Sequence, residues 1–199
     1  MEAGKLYHIY NRGNNRDLIF YEEENYKYFM RQFRKYLSRH VNTFAYCLMP
    51  NHFHFVVEII DDPQSKKINI SKENDTTTSS SSKISIVEKA FKNFFISYAK
   101  AINKRIGRTG SLFQYKFKRK EITDEEYLLR LIIYLHLNPV SANIVSKPNE
   151  WKYSSYNGLI NNMPTRLRRD EVIKWFGGIE NFIFLHDERQ ALNDEDVMF

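Results

Sequence analysis

A mixed α+β fold in one compact domain is what this sequence predicts, and two patterns and a composition predict it. Residues 6–10, 43–48 and 52–60 are short apolar and aromatic runs that read as strands, with His52 and His54 placed two apart in the last. Residues 22–40, 86–102 and 124–138 carry apolar side chains at three- and four-residue spacing, as amphipathic helices do. With 199 residues, 42% of them hydrophobic and 15% aromatic, the chain can bury one good core but not two.

Each element has a local reason. Residues 6–10 form a short strand closed by the turn-forming run Asn11-Arg12-Gly13-Asn14-Asn15-Arg16, a basic loop that reads equally as a phosphate holder and as a solvated turn. In the helix at 22–40, Tyr26, Phe29, Phe33, Tyr36 and Leu37 form the apolar stripe, and Glu22, Glu23 and Glu24 suit the dipole at its start. The strands at 43–48 and 52–60 are joined by Met49-Pro50-Asn51, which predicts a hairpin. Residues 61–85 turn abruptly to Ser, Thr, Asn, Asp and Lys and read as a flexible polar insertion. A basic-ended helix follows over 86–102, then a strand over 111–122 in which Lys116, Lys118 and Lys120 line one face. Such a stripe would track phosphates, and lysines guarding an edge strand would look the same.

Charge and cysteine usage narrow the partners. A formal net charge of +6 favours an anionic partner: nucleic acid, an acidic membrane surface or an acidic protein. The single Cys47, inside an apolar run, excludes a disulfide framework and a cysteine zinc cluster. With no run of about 18 apolar residues and no signal-like start, the expectation is a soluble cytoplasmic protein with no membrane partner.

Two segments carry chemistry. His52 and His54 lie two apart on a strand, so both imidazoles project from one face, where they would share a divalent metal or sit as ordinary half-buried histidines. On the helix at 124–138, capped by Thr123 or Asp124, the residues Leu128, Leu131, Ile132 and Leu135 form the buried stripe. Tyr127, Arg130, Tyr134 and Asn138 fall on another face at intervals of three, four and four. A phenol with an arginine one turn before it and an amide one turn after it suits attack on a phosphate, and a plain helix surface is the competing reading. Pro139 is expected to end this helix.

Five motifs in order resemble those of single-tyrosine HUH transposases, in particular the REP-associated tyrosine transposases. They are Tyr7-His8-Ile9-Tyr10-Asn11-Arg12-Gly13, Met49-Pro50-Asn51-His52-Phe53-His54, Gly110-Ser111-Leu112-Phe113-Gln114, residues 134–140 and residues 151–156. The resemblance implies a ferredoxin-like antiparallel sheet with helices packed on one face, over a domain spanning residues 1–164 that includes the 61–85 insertion. It leaves residues 165–199 as a tail of unknown role with an acidic end.

What the resemblance implies for function is a metal-dependent transposase or endonuclease acting on single-stranded DNA beside hairpins. His52, His54 and Asn138 would hold Mg2+ or Mn2+, and Tyr134 would be the nucleophile, forming a 5′-phosphotyrosyl link. Asn11, Arg12, Arg16, Lys116, Lys118, Lys120 and Arg130 are the candidate DNA contacts, and the chain would act as a monomer or homodimer. A domesticated DNA-binding protein without catalysis and a replication-initiator or relaxase-type nickase are the alternatives.

Overall fold

The computed structural model describes residues 1–60 and 85–191. Strand β1 (Leu6–Arg12) leads through helix α1 (Glu23–Leu37) to the hairpin of β2 (Val41–Met49) and β3 (His52–Ile59), and helix α2 (Ile86–Ile106) and strand β4 (Lys118–Ile122) follow. The sheet order is β2-β3-β1-β4 with every pairing antiparallel, so the expected ferredoxin-like α+β arrangement is present. The 61–85 insertion lies, but for Ser85, outside the described residues.

Alternation divides the sheet into two chemical faces. Tyr7, Ile9, Phe53, Phe55, Val57 and Ile59 point to α1 and α2, where Phe29, Phe33, Phe91, Phe94 and Tyr98 meet them. Phe33 stacks flat on Phe55 at 4.4 Å, and Phe29 meets Phe94 and Tyr98 edge-on at 4.8 Å each. Such pairs add about 0.5–1.5 kcal/mol each beyond their buried area. This aromatic core packs the inner face of β3 beneath the histidines on its other side. Serine supplies the N-cap of α2, with Ser85 Oγ accepting from the Glu88 amide, and Gly107 ends that helix at φ 66°, a conformation that costs glycine nothing.

The other face carries a second layer in addition to the helices on the first. Helix α3 (Glu125–Ser141) packs there with α4 (Tyr156–Ile160), α5 (Arg169–Trp175) and α6 (Ile179–Ala191). Leu131, Leu135, Tyr156, Phe176 and Phe182 close over Phe44, Cys47 and Val56 of the sheet. Residues 165–191, read from sequence as a tail, are therefore part of a core. The outer edge of β2 is covered as well: Leu48 N–H donates to Tyr153 O, Ser155 N–H to Tyr46 O and Arg168 N–H to Thr43 O. Segment 151–156 thus satisfies an edge that would otherwise invite pairing with another chain.

Two boundaries differ from expectation. Helix α3 continues through Pro139 to Ser141, because the proline sits in the last turn, and the Ala142 amide still reaches Asn138 O. The strand expected over 111–122 forms only from Lys118, since Lys116 takes a left-handed φ of 61° that breaks the alternation. Among the described residues no helix is long and apolar enough to cross a membrane.

Candidate functional site

Register builds the site across three strands and one helix. His52 pairs with Arg12 and Met49, and His54 with Tyr10 and Cys47. On β4, Lys118 pairs with Tyr10 and Lys120 with His8. Directly paired residues share a face, so His8, Tyr10, Arg12, His52, His54, Lys118 and Lys120 all project toward α3. The rings of His52 and His54 are 5.1 Å apart and perpendicular, and the Tyr134 ring stands edge-on to His54 at 5.7 Å. Tyr10 stacks on His8 at 4.5 Å and on His54 at 5.7 Å.

The turn that starts β3 is strapped from outside. Gly13 N–H donates to Asn51 O, and the amides of Ile19 and Phe20 both reach Pro50 O. Gly13 is required here, since a Cβ would lie 2.0 Å from the Asp17 carbonyl oxygen. Held this way, Asn51 presents its Oδ1 to His52 Nδ1 at 2.6 Å while its Nδ2 donates to Arg16 O at 3.3 Å.

Helix α3 brings the other two residues. Asp124 caps its start by accepting from Tyr127 N–H at 2.7 Å, and Leu128, Leu131, Ile132 and Leu135 bury its apolar stripe. The stripe fixes the rotation of the helix, which leaves Tyr134 half-buried over the histidine strand and Asn138, one turn on, 9% exposed. The Asn138 side chain contacts His52 as a hydrogen-bond partner.

The electrostatics suit a cation. Burial pushes the His52 pKa down to about 4, with Arg12 adding to the effect and the Asn138 amide opposing it. Burial also takes His8 to about 3, with Lys120 assisting. His54 lies well below its usual value, through burial first and then through His8, His52 and Arg12. All three rings are neutral at neutral pH, each with one N–H and one lone pair. The buried Nε2 of His54 and Nδ2 of Asn138 have no hydrogen-bond partner. A neutral His52 ring addressed by two amides has a proton for only one of them, and a divalent ion can take the place of the missing proton. Two imidazole nitrogens and an amide oxygen are a donor set that fits a borderline or hard divalent ion. Among the described residues no group of three His, Cys, Asp or Glu gathers for a metal, so an ion on the histidine pair would take its third donor from the amide.

The remaining candidates divide. Arg12 is exposed beside His52, and Lys118 and Lys120 rise from the same face, Lys118 over the Tyr10 ring at 5.8 Å and Lys120 over Tyr127 at 4.2 Å. Arg16 is exposed with its carbonyl committed to Asn51. Asn11 is not on the groove: it is 6% exposed, and its amide bonds Gln114 O and the Arg12 N–H. Arg130 is exposed and pairs with Glu126. Lys116, off the strand, does not share the face of Lys118 and Lys120 by alternation. Sequence reasoning passed over His8, Tyr10 and Asn51 as site residues, although the alternation of residues 7–10 already puts His8 and Tyr10 on one face.

Comparison with family models finds no match for this chain, and comparison with curated proteins finds none. Its fold is similar to the solved structure of a REP-associated tyrosine transposase bound to a REP hairpin, at a TM-score of 0.58 and 14% identity. The match covers 82% of this chain and 84% of that one.

Proposed function

We propose that this chain is a single-tyrosine strand transferase of the HUH type that cleaves and rejoins single-stranded DNA beside hairpins. The observation that carries the reading is the convergence of Tyr134, edge-on to His54 at 5.7 Å, with Asn138, which contacts His52 one turn later. A nucleophile and one ligand from α3 then meet two ligands from β3. The fold shared with a hairpin-bound tyrosine transposase supports the same reading, as does the net charge of +6.

Mg2+ or Mn2+, held by His52, His54 and Asn138, would polarise a non-bridging oxygen of the scissile phosphate. The protein's own residues do the rest. Arg12, Lys118 and Lys120 draw the strand onto the open face. Tyr134 Oη attacks phosphorus, the bond from phosphorus to the 3′ oxygen breaks, the phenolic proton passes to solvent and the leaving oxygen takes one up. The products are a 5′-phosphotyrosyl enzyme and a free 3′-hydroxyl, and attack by another 3′-hydroxyl reverses the step.

The test is a labelled hairpin-bearing single strand incubated with the protein and Mn2+, then separated under denaturing conditions. A covalent protein–DNA band is expected from the parent chain and none from Tyr134→Phe, which keeps the ring and its packing but lacks the attacking oxygen. A band that persists in Tyr134→Phe removes this assignment. Hairpin binding without any band from the parent chain favours the non-catalytic DNA-binding alternative.

A further inference from the structure

Each histidine of the pair has a dedicated partner on the nitrogen that faces away from its neighbours. His54 Nδ1 lies 2.9 Å from His8 Nε2, and both rings are buried, His8 2% and His54 7% exposed. His52 Nδ1 lies 2.6 Å from Asn51 Oδ1. The Asn51 amide cannot be turned the other way, because its NH2 end donates to Arg16 O at 3.3 Å. An oxygen therefore faces His52 Nδ1; the Asn138 amide oxygen also addresses the ring, and the short 2.6 Å contact with Asn51 assigns the single proton to Nδ1. For His54 the argument runs through its other side: Nε2 has no hydrogen-bond partner, and a buried N–H there would be left unsatisfied, whereas a lone pair is what a cation needs.

We propose that His8 and Asn51 are positioning residues that hold both site histidines in the Nδ1–H tautomer, so that both Nε2 lone pairs converge beside Asn138. His8 does this by accepting from His54 Nδ1–H, with the stacked Tyr10 ring at 4.5 Å fixing its plane. Asn51 does it through the strapped turn. The orientation of the donor set is thus built by β1 and the hairpin turn, and not by the two histidines themselves. The inference rests on the metal-binding reading above.

The test uses the full chain, without metal and then with Mn2+ alone. Long-range nitrogen–proton correlation spectra of the imidazole rings report the tautomers directly, and calorimetric titration reports Mn2+ affinity. The parent chain is expected to show His52 and His54 as Nδ1–H. In His8→Leu, His54 should lose that preference and Mn2+ affinity should fall by about 10- to 100-fold, the usual effect of removing such a partner. His8→Gln, whose amide oxygen can accept the same hydrogen bond, should keep affinity nearer to the parent than to His8→Leu. Hairpin affinity should not change in either variant, since the basic face supplies it. If His8→Leu does not fold, His8→Gln and the parent spectra decide.

An Nε2–H tautomer for His54 in the parent, or parent-like Mn2+ affinity in His8→Leu, overturns the assignment and leaves the metal reading standing. Absence of Mn2+ binding by the parent chain overturns both.

Discussion

The protein contains two buried histidine networks, one under helix α3 on the sheet and one behind it, and they differ in whether the hydrogen-bond chain closes. In the second, Tyr46 N–H donates to Ser155 Oγ at 2.9 Å, and Ser155 Oγ–H meets His136 Nε2 at 2.8 Å. His136 Nδ1–H then reaches His186 Nε2 at 2.9 Å, and His186 Nδ1–H ends on Phe182 O at 2.7 Å. Every donor finds an acceptor, and both rings are fully buried. In the first, the chain from His8 through His54 stops at a nitrogen with no partner, and the Asn138 NH2 has none either. A buried group left unpaired costs about 1–3 kcal/mol, so such gaps are retained where a ligand completes them. The closed network ties β2, α3 and α6 together, and the open one leaves a buried ring nitrogen and a buried amide group unpaired.

That contrast is broken most directly by exchanging the insult. His136→Ala leaves a cavity and strands His186 Nε2, while the Ser155 hydroxyl keeps Tyr46 O at 3.2 Å, so denaturant unfolding should show a loss of about 3–5 kcal/mol. His54→Ala also leaves a cavity and strands His8 Nε2, but it removes a ring nitrogen that was already unpaired, so it should lose less, while forming no covalent DNA adduct. A His54→Ala loss as large as that of His136→Ala would mean the two networks do the same job.

Metal sharpens the comparison next. At 100 times its dissociation constant, Mn2+ should stabilise the parent chain by about 2.7 kcal/mol in denaturant titration. The gain should vanish in His54→Ala and survive in Ser155→Ala, whose defect lies in the other network. Equal gains in both variants would separate Mn2+ from the histidine strand.

Acid should act on the closed network more gently. Burial lowers His186 to about 4 and, with His186 beside it, holds His136 well below 6.5. The unfolded chain takes up protons first as pH falls, so this contribution is fully present above pH 6.5 and is lost between there and about pH 4. Unfolding free energies measured across that window should decline, and less steeply in His186→Gln. A flat profile in the parent chain would contradict the burial argument.

The difference between the networks also explains what the sequence could disclose. The strands, the helices and the His52–His54 pair follow from periods of two and 3.6, and Tyr134 with Asn138 from spacing along one helix. His8 required the register between β1 and β3, across 46 residues of sequence, which no local pattern encodes. The second layer was hidden for another reason. Helix α6 buries only Phe182 and His186 among the residues of its apolar face, while Phe184 stays 58% exposed, so its apolar stripe is too thin to read. The lysine stripe was half legible: alternation holds for Lys118 and Lys120, and the left-handed Lys116 lies beyond the strand it was assigned to.

The smallest effect concerns where the charge sits. Lys118 and Lys120 share the face of the open network, through their pairing with Tyr10 and His8. A second basic region, the groove of about 870 Å³ lined by Arg34, Arg166 and Arg168, lies at the other end of β2 and on the α1 side of the sheet. If single-stranded DNA runs over the open network, the pair Lys118→Ala/Lys120→Ala should flatten the slope of log affinity against log salt by up to about 1.4, at roughly 0.7 for each contact. Arg34→Ala/Arg166→Ala/Arg168→Ala should leave that slope unchanged. Both variants are expected to keep nearly the parent stability, because all five side chains are on the surface and exposed ion pairs contribute about 1 kcal/mol or less. The opposite outcome, a slope that responds to the arginines and ignores the lysines, would move the DNA to the α1 side and away from Tyr134, and the open network would then need a different substrate.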